Sequence, residues 1–110
     1  MNDIDPNQAI DYIKANAPIF AQAKADRIHL ENYLKVVKAE EMNESCSQTQ
    51  SGKETDAYAS QAYKEILNGL KVAVEQEEKL NYLLKAAFAR IDIWKTMEYS
   101  KRQELKTLGG

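Results

Sequence analysis

Punctuation is scarce in this 110-residue chain: four glycines and two prolines leave few places for the backbone to turn. Few turns mean few, long elements. A single cysteine, Cys46, cannot close an internal disulfide, so nothing points to a small secreted scaffold held by cross-links. No stretch approaches the roughly 18 apolar residues that would span a bilayer. The opening "MNDIDPNQAI" lacks the basic start and apolar core of a signal peptide, and the expected location is the cytoplasm. There is no excess of cations either. Fifteen Lys and Arg stand against 17 Asp and Glu, a net charge of −2, which argues against a wholesale polyanion binder because non-specific nucleic-acid affinity comes mostly from neutralised phosphates. Any such contact must be local. A Gly-rich phosphate loop, a Walker lysine and a nucleophile elbow are all missing.

What is present is helical. The hydrophobic fraction of 44% and charged fraction of 29% are those of a globular chain, and the length is most simply one domain, 1–110. In "DIDPNQ", Asp5 can accept from the first free backbone N–H groups while Pro6 occupies the first helical position and Gln8 completes a capping box. Ile10, Ile13 and Ala17 would line one face of this short helix. Pro18 disfavours helix at Ala17 and removes a donor, which predicts a break or kink in "ANAPIF" and a new helix from near Pro18. Helices are therefore expected over about 6–16, 18–44 and 61–107, with a loop over about 45–60. In that loop Thr55 and Asp56 are candidate caps for a brief turn around "AYA", and Ser60 is the candidate cap of the last helix.

The spacing within the long helices is the strongest signal. Ile66, Leu70, Ala73, Glu77, Leu80, Leu84, Ala87, Ile91, Trp94 and Glu98 follow alternating steps of four and three, the 3.5-residue period of a supercoiled seam. Phe20, Ala23, Arg27, Leu30, Leu34, Val37 and Glu41 repeat it. Tyr63, Leu67, Val74, Leu83 and Phe88 widen the apolar stripe of the last helix. The predicted architecture is all-α, a long antiparallel helical hairpin with a short N-terminal helix. A turn centred near residue 52 makes partners sum to roughly 105, setting Val37 beside Leu67, Leu34 beside Leu70, Phe20 beside Leu84 and Glu77 near Arg27. The last two are polar interruptions of their seams, and an ion pair between them would hold the register; the alternative is that both reach out to solvent. A hairpin leaves each stripe covered on one side only, so a homodimer forming a helical bundle is expected, with Leu30, Leu34, Leu70, Leu80, Leu84, Ile91 and Trp94 as packing or oligomer-interface residues.

Chemistry-bearing constellations are thin. Asp26 and His29 stand three apart, but the chain has no second histidine with which to build a carboxylate-bridged metal site. The acidic groups Glu40, Glu41, Glu44 and Glu75, Glu77, Glu78 are of the type used by magnesium-dependent, all-helical nucleotide hydrolases, yet the hairpin register keeps the two groups apart. Cys46 has no basic neighbour to activate it. The expectation is a non-enzyme with no metal, cofactor or catalytic residue. Residues 57–110 hold nine Lys and Arg against seven Asp and Glu, whereas residues 1–56 hold six against ten. Lys85, Arg90, Lys95, Lys101, Arg102 and Lys106 stud the end of the last helix beside Phe88, Trp94 and Tyr99. Lys85, Arg90, Lys95, Lys101 and Arg102 are accordingly candidate single-stranded nucleic-acid contacts, through phosphate pairing and base stacking. Macrodipole preference and packing supply the plainer explanation of the same residues.

The segments "ENYLKVVKAEEM", "AYASQAYKEILNGLKVAVE" and "KLNYLLKAAFARIDIWKTMEYSKR" resemble a group of small helical phage and prophage proteins, over about Ile28 to Arg102. Such a resemblance implies an accessory role near replication or recombination and an unidentified protein partner in a bacterial host. It carries no functional residues over, and the acidic "EEMNE" departs from a continuous basic face. The readings thus stand as a homo-oligomeric interaction protein, then a single-strand binder, then a metal-dependent nucleotide hydrolase.

Overall fold

The computed structural model describes residues 4–109, and its order of elements is α1 (Pro6–Glu44), α2 (Gln50–Ala59) and α3 (Gln61–Gly109). All are helices, and α1 packs against α3. Contacts gather the chain, expected as one domain over 1–110, into two compact units. One joins the part of α1 up to Phe20 with α3 from Lys79 onward; the other is Ala21–Glu78.

The start of α1 is set locally. Asp5 Oδ1 accepts from the Asn7 N–H at 2.9 Å, satisfying a backbone donor that a helix start leaves free. The expected break at Pro18 does not occur, and α1 is a single 39-residue helix rather than a short helix followed by a longer one. Pro18 is exposed, so the Lys14 carbonyl that loses its intrahelical donor faces water and not a dry core. Continuity also resets the phase of the first turns. Pro6, Ala9, Ile13 and Asn16 are covered and extend the 3.5-residue steps of Phe20 and Ala23 backwards, with Tyr12 half-buried beside them, while Ile10 and Ala17 turn outward.

The connection over 45–60, expected as a loop, holds a ten-residue helix. Thr49 is its cap, Oγ1 accepting from the Gly52 N–H at 3.0 Å. Thr55 is inside α2 and donates to the Ser51 carbonyl, and Asp56 accepts from the Ser45 hydroxyl, so neither caps a turn. Ser60 ends α2 and starts α3: its Oγ donates to the Ala57 carbonyl at 2.6 Å and accepts from the Tyr63 N–H at 3.2 Å. One hydroxyl thereby serves both helix ends.

Each unit has its own small core. Ala9, Leu80, Leu84 and Ala87 are buried in the first; Ala23, Val37, Ala57 and Glu77 are buried in the second. Alanines at these seam positions let two helix backbones approach closely. Every seam position from Ile66 to Glu98 is buried or half-buried, as is every one from Phe20 to Glu41. The residues expected to widen the stripe behave differently. Tyr63 is half-buried, whereas Leu67, Val74, Leu83 and Phe88 are exposed.

Candidate functional site

Within Ala21–Glu78, the two polar residues of the seams meet. Arg27 Nε donates to Glu77 Oε2 at 2.7 Å and Nη2 donates to Oε1 at 3.0 Å, a two-pronged pair that uses the matching planes of guanidinium and carboxylate. The pair ties α1 to α3 at one register, and a shift of one turn, about 5.4 Å, would part the two residues. Glu77 retains only 7% of its surface. Hydrogen bonding to Arg27 holds its carboxyl below the usual range, against the opposing effect of burial. A third member went unseen in the sequence: Glu31 accepts from Arg27 Nη1 at 3.0 Å. The i, i+4 spacing of Arg27 and Glu31 was the available signal. Arg27 thus joins Glu77 of α3 to Glu31 one turn along its own helix.

The other sequence candidates are dispersed. His29 stacks on Tyr33 at 5.9 Å between centroids, and Asp26 accepts from Gln22 Nε2 at 2.8 Å, so the two are not turned to one ligand. Among the described residues no cluster of three or more His, Cys, Asp or Glu side chains is placed to hold a metal ion. Cys46 is exposed in the connection between α1 and α2. Nearby, Lys38 Nζ lies 4.7 Å from the Tyr58 ring centroid and Tyr58 meets Tyr63 edge-on at 5.2 Å, closing the corner where α2 joins the long helices.

Leu30, Leu34, Leu70, Leu80, Leu84, Ile91 and Trp94, the candidate interface residues, lie on the seams and are buried or half-buried inside the chain. Leu80 and Leu84 are consumed by intrachain packing. The large apolar side chains left to solvent are instead on the flanks, among them Ile19, Leu67, Val72 and Leu83.

The basic end of α3 sorts into two groups. At roughly 100° per residue, Lys85, Lys95 and Arg102 share one flank with Lys106, whereas Arg90 and Lys101, eleven residues apart, both lie away from it. Lys101 Nζ is 3.6 Å from Glu98 Oε1, and both residues line a hollow of about 180 Å³ with Ile4, Trp94 and Met97. The five candidate cations therefore do not act as one surface. Trp94 belongs to this hollow and to the seam, not to the basic flank.

No family model, no curated protein and no solved structure matches this chain. Among the described residues, no helix is long and apolar enough to cross a membrane.

Proposed function

We propose that this chain is a non-enzymatic, homo-oligomeric helical interaction protein, a dimer in its simplest form, acting in the bacterial cytoplasm. The observation that carries the reading is an excess of uncovered surface that includes large apolar side chains. A folded 12.5 kDa monomer is expected to expose about 6,200 Å², and this chain exposes 8237 Å². The excess, about 2,000 Å² per chain, would contribute about 4,000 Å² to a two-chain interface, within the range of obligate homodimers. Ile19, Leu67, Val72 and Leu83 supply apolar groups of the kind such an interface covers.

The biological role rests on the resemblance of residues 28–102 to small phage helical proteins: an accessory of DNA replication or recombination that acts by binding a partner protein. Sedimentation equilibrium over a wide concentration range tests the oligomer. A mass near twice the chain mass supports it, and a monomer throughout removes its basis. Adding the purified protein to reconstituted primer-extension and strand-annealing reactions tests the role; a changed rate is expected, and unchanged rates in both would count against it.

A further inference from the structure

Beyond oligomerisation, we propose that the outer flank of α3 between Lys85 and Lys106 is a single-stranded nucleic-acid track. Lys85, Phe88, Asp92, Lys95, Tyr99, Arg102 and Lys106 follow one another in steps of three and four, so they form one line along the helix, about 30 Å long. All seven are exposed. The line carries four cations and one carboxylate, a local charge of +3 on a chain whose total is −2. Its two aromatic rings are free: Phe88 is 55% and Tyr99 63% exposed. Neither has been taken into the seam, where Leu84, Ala87, Ile91 and Trp94 are covered.

The alternation of cation and ring selects the ligand. Phosphates pair with the Lys and Arg heads, and unstacked bases lie on the rings, a combination suited to any base sequence. Duplex DNA offers the phosphates but keeps its base faces inside the stack, so the rings would gain nothing there. An anionic membrane would need a contiguous apolar face beside the cations. Here the two rings stand apart along the helix, and Trp94 is turned to the hollow beside Ile4. Tyr82, 65% exposed at the head of the line, already holds the Lys85 ammonium 5.2 Å from its ring centroid, which keeps an aromatic face and a cation together at that end.

Fluorescence anisotropy of a labelled oligo-dT, about 15 nucleotides long, tests the track. With four phosphate contacts, affinity should fall about 50-fold between about 50 and about 200 mM salt. K85Q/K95Q/R102Q/K106Q should abolish the salt-sensitive binding. R90Q/K101Q, which removes two cations off the line, should leave it nearly unchanged, while K95Q/R102Q should weaken it and halve the salt slope. F88A/Y99A should reduce affinity with the slope retained. All altered side chains but Lys101 lie free of seam and hollow, and circular dichroism of each variant verifies the fold. Equal losses in R90Q/K101Q and K95Q/R102Q would overturn the proposal, as would equal or tighter binding to a duplex of the same length, or a preference for phosphatidylglycerol vesicles over oligo-dT.

Discussion

At the scale of single residues, the Arg27 cluster is asymmetric. Removing Glu77 leaves Arg27 with Glu31, whereas removing Arg27 leaves the buried Glu77 carboxylate without a hydrogen-bonded counter-charge and with only the weaker pull of Lys24. R27M should therefore destabilise the protein more than E77Q, and R27M/E77Q should recover part of the R27M loss; urea unfolding of the three variants measures this, and strictly additive losses would deny the coupling. The pH dependence follows from the same contact. Because Arg27 lowers the Glu77 pKa in the folded state, the stabilisation is complete above the ordinary glutamate value of 4.5 and is lost as pH falls through the depressed folded value. The stability gap between the wild-type protein and E77Q should thus narrow on acidification below about pH 4.5. The pair's identity was legible from sequence, as both residues break an apolar repeat. Glu31 was not, since a charged residue on an exposed helix position is ordinary until a partner is seen beside it.

At the scale of elements, Pro18 separates local preference from the outcome of packing. Its position costs one intrahelical hydrogen bond and a clash with the Lys14 carbonyl, yet α1 runs through it. P18A should raise stability by up to about 3 kcal/mol, less what the proline takes from the freedom of the unfolded chain. A melting temperature equal to or below that of the wild type would show that the helix depends on the proline's restriction. The glycines of the two helices divide similarly. A methyl at Gly69 meets open space in α3, and G69A should stabilise by about 0.5–1 kcal/mol. A methyl at Gly52 would collide with the Ser47 side chain and crowd Thr49, so G52A should destabilise the first turn of α2. Thermal melts of the two variants should shift in opposite directions. The helix α2 itself escaped the sequence because "SCSQTQSGKETD" is polar and contains a glycine, the usual marks of a loop. What makes it a helix is capping at Thr49 together with full burial of Ala57.

At the scale of the whole molecule, the proposed self-association links stability to concentration. If folding and dimerisation are coupled, the midpoint of thermal unfolding should rise with protein concentration, and a midpoint constant over a hundredfold range would argue for a self-sufficient monomer. The sequence by itself determined the helical class and the phase of the two seams, because a 3.5-residue apolar repeat is written into neighbouring positions of the chain and survives whatever surrounds it. It also marked Arg27 and Glu77 as exceptions within those seams. Tertiary structure decided the rest: that α1 continues through Pro18, that polar residues 50–59 coil into α2, that Leu80 and Leu84 are spent inside the chain, and that Lys101 lines a hollow with Trp94 while Lys85, Lys95, Arg102 and Lys106 keep to an exposed flank. Each of these outcomes is set by a balance between a local cost and a contact with residues distant in sequence. Such contacts exist only once the helices have met.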